Sequence, residues 1–160
     1  MTIFALSTAN GVAGLAVVRV SGHLALTALK TISRKSHFDP NVLTKSEFYD
    51  PESGNLIDKG LAVFFSKPKS FTGEDVVEFH VHGSISIIKK IESELDKIQN
   101  VREAEPGEFT KRSLQNDKID LLQAEGLDDL LEASTETQRK RAQLAFMGSV
   151  SSKLFDWRDE

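Results

Sequence analysis

The chain has 160 residues, 39% of them hydrophobic and 28% charged, proportions ordinary for a globular protein of one or two domains, which excludes fibrous and disordered readings. Twenty Lys and Arg face 24 Asp and Glu, a formal net charge of −4, so a wholly basic surface is excluded and any nucleic-acid contact must come from a local patch. Cysteine is absent, which removes disulfides, thiolate metal sites and thiol nucleophiles together.

The charge is uneven: residues 1–45 hold Arg19, Lys30, Arg34, Lys35 and Lys45 against Asp39 alone. No apolar run approaches the roughly 20 residues of a membrane span. The N-terminus lacks the basic segment and cleavage site of a signal peptide, and the expected location is cytoplasmic.

In chain order, apolar runs at 3–6 and 15–18 predict two strands joined by a glycine-bearing loop and buried on both faces. Ser21 is the expected N-cap of a helix reaching about Ile32, with Leu24, Ala28, Leu29 and Ile32 at helical spacing. Residues 33–59 are polar and rich in turn residues, and predict loops with short strands around Phe48-Tyr49 and Leu56-Ile57. A strand at 61–65 follows, then a turn at 71–74. Strict alternation over 75–82 predicts another strand, with Val77, Phe79 and Val81 on one face and Val76, Glu78, His80 and His82 on the other. Ile87, Ile88, Ile91, Leu95 and Ile98 form the apolar stripe of a helix. A last strand is expected at 101–104, and Pro106-Gly107-Glu108 opens a short helix with Pro in its first turn. From Asp120 the pattern is helical to about Met147, interrupted only at Gly126, and a further helix is expected from Ser151. Strands and helices mix up to 118 and only helix follows, so a domain boundary is placed there, giving domains at 1–118 and 119–160. The second cannot bury its leucine face alone, and the pattern runs on to Glu160 without a terminator, as in a chain that continues or one that donates these helices to another chain.

Three groups of residues can carry chemistry. Glu78, His80 and His82 share a strand face at intervals of about 7 Å, which suits a metal with further ligands from elsewhere, or an organic ligand, or simply a solvated face. Arg19 interrupts an apolar strand, so it meets solvent, an acid or an anionic ligand, and Glu78 on a neighbouring strand would serve. Lys111, Arg112 and Lys118 can form an anion site or a solvated helix face. Gly11-Val-Ala-Gly14 has neither GxGxxG nor P-loop spacing, and no GxxxxGK[ST] occurs in the chain.

Four ordered blocks then carry a resemblance: Val17-Val-Arg19-Val-Ser-Gly22; Ser70-Phe-Thr-Gly-Glu-Asp-Val-Val-Glu78 with His82-Gly83; Pro106-Gly-Glu-Phe-Thr-Lys-Arg112; and Asn116-Asp-Lys-Ile-Asp-Leu-Leu-Gln-Ala-Glu125. Together they resemble the N-terminal part of the MnmE (TrmE) family of tRNA modification GTPases across essentially the whole chain. The resemblance implies an α/β (α+β) domain with a tetrahydrofolate-binding, aminomethyltransferase-like fold that forms a homodimer, followed by the first helices of an all-α domain. It implies a one-carbon donor, 5-formyl- or methylene-tetrahydrofolate, held by residues falling here on Arg19, Glu78 and Lys118. It also implies work with the flavoprotein MnmG on the wobble uridine of certain tRNAs, by aminomethylation or carboxymethylaminomethylation. GTP, Mg²⁺ and K⁺ belong to the family's GTPase domain, which these residues do not contain. The chain alone is therefore expected to hydrolyse no GTP, to hold no catalytic residue or metal, and to bind tRNA weakly. Two of the family's loops differ here, as Ala9-Asn10-Gly11 and as His82-Gly83-Ser84-Ile85. They leave open a dimerisation scaffold without folate binding, beside the metal-dependent alternative at Glu78, His80 and His82.

Overall fold

A computed structural model describes residues 1–148; the helix expected from Ser151 lies outside the described residues. The elements are β1 (Thr2–Leu6), β2 (Ala13–Ser21), α1 (Ala25–Ser33), β3 (Thr44–Tyr49), β4 (Leu56–Phe65), β5 (Val76–Gly83), α2 (Ile85–Asp96), β6 (Val101–Glu103), α3 (Glu108–Gln115), α4 (Leu121–Glu132) and α5 (Glu136–Phe146). The strands form one sheet in the order β3-β4-β5-β2-β1-β6. Only β1 and β6 run parallel; the other neighbours are antiparallel. The chain divides into two compact units, Met1–Phe109 and Thr110–Glu160, so the division falls inside α3. The first unit is mixed α/β and the second is helical in its described part.

The alternation along β5 sets the layers of the first unit. Val77, Phe79 and Val81 are buried, together with Val18 and Val20 of β2, Phe4 of β1 and Phe48 of β3. The stripes of α1 (Ala25, Ala28, Leu29, Ile32) and α2 (Ile88, Ile91, Leu95) close over that face in one core. Phe48 and Phe79 meet edge to face at 5.3 Å within it. Arg19, Glu78 and His80 therefore project from the opposite side of the sheet.

Several expectations are corrected. β2 is not buried on both faces: Ala13, Gly14 and Leu15 are exposed, and the ladder to β5 shifts register between Ala13 and Ala16. Ser21 does not cap α1. It completes β2, where its hydroxyl donates to Glu74 Oε2 at 2.7 Å and lies 2.7 Å from Thr72 Oγ1. The α1 N-terminus is served instead by Thr2 of β1, whose Oγ1 accepts the Leu24 N–H at 3.0 Å, a partner distant in sequence and invisible to a local capping pattern. Residues 33–59 contain a complete strand, β3, and the first part of β4, which continues through Gly60 as a single ten-residue strand. Pro106 lies in the turn before α3, and Glu108 starts that helix, accepting the Glu105 N–H at 2.9 Å. The long C-terminal pattern is two helices, and the break is at 133–135 rather than at Gly126, which lies buried inside α4. Each of the two helices opens with a capping box, Asp120 with Gln123 and Thr135 with Gln138.

Glu94 of α2 is buried, with its side chain 1% exposed, and Lys90 and Lys97 hold it at 2.6 and 3.1 Å. Lys90 also reaches Asp50 beyond β3 at 2.9 Å, and Lys97 reaches Glu52 at 3.2 Å. Burial pushes the Glu94 carboxyl up, but hydrogen bonds from the two lysines outweigh it and the net shift is downward. Asp50 is likewise depressed, first by Lys90 and then by the Ser53 N–H. A depressed carboxyl stabilises the fold above its unfolded pKa, about 4, and that stability is lost as pH falls through the folded value. Lys90→Met is therefore expected to lower the urea midpoint at pH 7. Its deficit against wild type should narrow steadily from pH 5 to pH 3; an unchanged deficit over that range would show that the lysine acts through packing alone.

Candidate functional site

Register places the site. Arg19 of β2 is the cross-strand partner of Glu78 of β5, and Val17 is the partner of His80. The Arg19 guanidinium donates to Glu78 Oε1 from Nε at 2.9 Å, and its Nη2 lies 2.8 Å from the same oxygen as an ion-pair contact. His80 Nε2 lies 3.1 Å from Glu78 Oε2. An ionised carboxylate only accepts, so that ring nitrogen carries the hydrogen. Glu78 is thus gripped from both sides, with its side chain 14% exposed and that of Arg19 31%. The Phe109 ring lies 5.9 Å from the guanidinium carbon, within cation–π range. The result is a carboxylate with fixed orientation beside a cation and an aromatic face, on the side of the sheet away from α1 and α2.

The carboxylate keeps acceptor capacity for N–H donors from outside the protein. A carboxylate offers about four acceptor positions; the Arg19 Nε–H fills one at Oε1, with Nη2 close beside it, and His80 fills one at Oε2. One further N–H is accepted at Oε2 without displacing any group, and a second at Oε1 when the Arg19 Nη2 moves aside. Such contacts are short and charge-assisted.

Lys118, the third residue implied by the resemblance, belongs to the second unit. It follows α3, and its backbone N–H donates to the Ser113 carbonyl at 2.9 Å. Within the first unit the structure brings together Arg19 and Glu78 and adds His80 and Phe109. The three-residue metal reading finds a different geometry. His82 turns to Asp58 of β4, whose Oδ1 accepts from Nδ1 and whose Oδ2 accepts the His82 backbone N–H, both at 2.8 Å. His80 stays with Glu78. Among the described residues no group of three or more His, Asp or Glu is placed to hold a metal ion.

Asp58 and His82 were missed as a pair. Asp58 is 9% exposed and spends both oxygens on one residue, which fixes the imidazole orientation with Nδ1 as donor. The same corner needs two glycines: a Cβ on Gly60 would lie 2.0 Å from the His80 carbonyl oxygen, and one on Gly83 would lie 2.5 Å from the Ala13 carbonyl oxygen. The signal available in sequence was the pairing of Asp58-x-Gly60 with His82-Gly83, which only strand adjacency makes meaningful.

Residues 2–118 match the family model described as GTP-binding protein TrmE N-terminus. The chain is 45% identical over 157 residues to the tRNA modification GTPase MnmE of Parvibaculum lavamentivorans, covering 98% of this chain and 36% of that protein. It is 46% identical over 159 residues to the protein of the same name from Rickettsia bellii, covering 99% of this chain and 36% of that one. It is also 45% identical over 156 residues to the mitochondrial tRNA modification GTPase gtpbp3 of Dictyostelium discoideum, covering 94% of this chain and 30% of that protein. The chain spans about a third of the length of these relatives.

Proposed function

We propose, for a chain that belongs to the GTP-binding protein TrmE N-terminus family, that it is the folate-binding and dimerising portion of a tRNA-modifying GTPase. Residues 1–118 are the folate and dimer domain, and 119–160 begin a helical domain. Arg19, Glu78 and Lys118 bind a tetrahydrofolate derivative, whose one-carbon unit supplies the carbon added to the wobble uridine in partnership with MnmG. The observation that carries the reading is the Arg19–Glu78–His80 arrangement, a carboxylate held rigid with an acceptor position left for ligand N–H groups. Glu78 takes the N–H edge of the pterin, Phe109 offers it an apolar face, and Arg19 and Lys118 serve its carbonyl and carboxylate groups. Residues at the Ala13 end of β2 favour a second copy as partner, since Val12 is 87% exposed and Leu15 53%. GTP hydrolysis lies outside this chain, and the working compartment is the cytoplasm. Among the described residues no helix is long and apolar enough to cross a membrane.

Calorimetric titration of 5-formyltetrahydrofolate into the 160-residue chain tests the reading. Wild type is expected to bind saturably. Loss of a charge-assisted contact, about 1.5–3 kcal/mol, should weaken Glu78→Gln by roughly tenfold to a hundredfold, with the circular dichroism spectrum unchanged. A folded wild type that binds no folate, yet sediments as a dimer, would favour the scaffold reading, to which the altered Ala9-Asn10-Gly11 and Ser84 loops then belong.

A further inference from the structure

The first unit also carries a groove that the folate reading leaves unused. It lies between the end of α1 and β3, about 560 Å³ in volume, lined by Ser33, Arg34, Lys35, Lys45, Glu47 and Tyr49. The lone carboxylate among these residues is already satisfied: Glu47 binds Lys59 of β4 at 2.6 Å and accepts from the Tyr49 hydroxyl. Its pKa is lowered, chiefly by the hydrogen bond from Lys59 and then by that from Tyr49. The neighbouring Asp50 carboxylate is held by Lys90. Among the described residues no ion pair ties Arg34, Lys35 or Lys45 to a carboxylate, and Glu47, which Lys45 influences through space, is held by Lys59, so the groove keeps a surplus of positive charge in a chain whose net charge is −4.

The cations are positioned rather than loose. Arg34 has φ +56° as the α1 C-cap, lies over the Tyr49 ring at 4.8 Å and points Nη2 at the Asp50 carbonyl at 3.4 Å. Lys35 reaches across the groove and donates to the Lys45 carbonyl. β3 is an edge strand, and Lys35 on its backbone oxygen blocks the addition of another strand there. What the groove offers is therefore charge, hydroxyls and guanidinium donors. That chemistry suits the phosphodiester backbone, and the relatives that this chain matches are named for tRNA modification.

We infer that the groove formed by Arg34, Lys35, Lys45 and Tyr49 is a contact for the RNA phosphate backbone, separate from the Arg19–Glu78 site. It rests on the tRNA part of the proposed function and not on the folate part. The contact is sequence-independent and weak by itself, in the range of non-specific nucleic-acid binding, about 10⁻⁴–10⁻⁶ M at physiological salt.

Fluorescence anisotropy of a labelled, unmodified tRNA transcript, titrated with the 160-residue chain at several salt concentrations, tests this. Lys35→Glu/Lys45→Glu is expected to weaken binding at low salt at least tenfold. It should also lower the slope of log K against log salt by about 1.5, the loss of two phosphate contacts. The charge-matched control Lys89→Glu/Lys140→Glu should keep the wild-type slope. Equal slopes in wild type and the groove variant, or an equal loss in the control, would overturn the proposal. So would displacement of the RNA by inorganic phosphate at matched ionic strength, which would mark a small-anion site, or tighter binding of polyglutamate than of RNA. Both variants are also titrated with 5-formyltetrahydrofolate. A groove variant that loses RNA but keeps folate separates the two sites. RNA binding through the groove by a chain that takes no folate would sink the folate reading alone.

Discussion

Gly60→Ala is expected to destabilise the first unit by about 3 kcal/mol or more and to lower its Tm by roughly 10 °C. A single added carbon would stand 2.0 Å from the His80 carbonyl oxygen and 3.2 Å from the carbonyl carbon, with the Phe48 ring at 3.3 Å on its other side. None of these neighbours is the free end of a flexible chain. Register continues from Leu61 opposite His80 to Phe65 opposite Val76 on one side, and Gly60 opposite Ser46 on the other, so β4 cannot retreat without giving up ladder bonds to β3 or β5. The effect should reach the neighbouring groups as well, because a displacement of β4 moves Asp58 away from His82. Thermal unfolding followed by circular dichroism measures it, with Gly14→Ala as the control. A Cβ on Gly14 meets nothing within 4 Å, so that change should fall within about 0.5 kcal/mol of wild type. Equal Tm values for the two variants would mean that β4 relaxes freely at this point.

Gly126→Ala should do comparable damage to the second unit, although alanine is the better helix former by about 1 kcal/mol. The new methyl would lie 2.6 Å from the Phe146 backbone nitrogen, 2.8 Å from the Ala145 Cβ and 2.9 Å from the Ala145 carbonyl carbon. Two of these atoms are backbone of α5, so the clash is relieved only by separating the two helices. Separation would also strain the bond from Gln123 Nε2 to the Phe146 carbonyl at 3.0 Å. A net loss of about 2 kcal/mol is expected, seen as reduced ellipticity at 222 nm and an earlier thermal transition. An increase in helicity would show that propensity wins and that α4 and α5 tolerate a wider spacing.

The two glycines show how differently the sequence speaks at each point. Gly126 reads locally as an interruption in a helical pattern, whereas the structure uses it as the place where a second helix comes closest. The actual break, at 133–135, carried its own signals: Thr135 with Gln138, and Asp120 with Gln123 at the preceding helix start, both have capping-box spacing. Gly60 lies between the short strand expected at Leu56-Ile57 and the strand expected at 61–65, and it allows β4 to run unbroken through both against the His80 carbonyl. At Gly126 the local signal is that of a helix breaker, and at both positions glycine's role is to allow a neighbour close.

The site was legible to a similar depth. Alternation over 75–82 put Glu78, His80 and His82 on one face, and a charge inside an apolar strand singled out Arg19 with Glu78 as its candidate acid; the pair forms, with both Arg19 contacts on one oxygen. His80 as a hydrogen-bond donor to Glu78, Phe109 beside Arg19 and the lock of Asp58 on His82 were not legible. These partners are separated by 2, 90 and 24 positions respectively, and the shortest separation left a metal, an organic ligand and a solvated face all open.

The sequence by itself determined what periodicity and composition control: the strand alternation of β5, the apolar stripes of α1 and α2, the mixed α/β first part and helical second part, and the absence of a P-loop. These follow from side chains choosing a face within one element, a decision made over a few residues. Tertiary structure decided which element closes which. Thr2 accepts the Leu24 N–H at the start of α1 because β1 passes there. Asp58 orients His82 because β4 lies beside β5. Lys35 guards the β3 edge because α1 ends beside it. Each depends on the register between strands or on a chain crossing, where a one-residue slip would turn every side chain to the other face, and no local pattern encodes that choice.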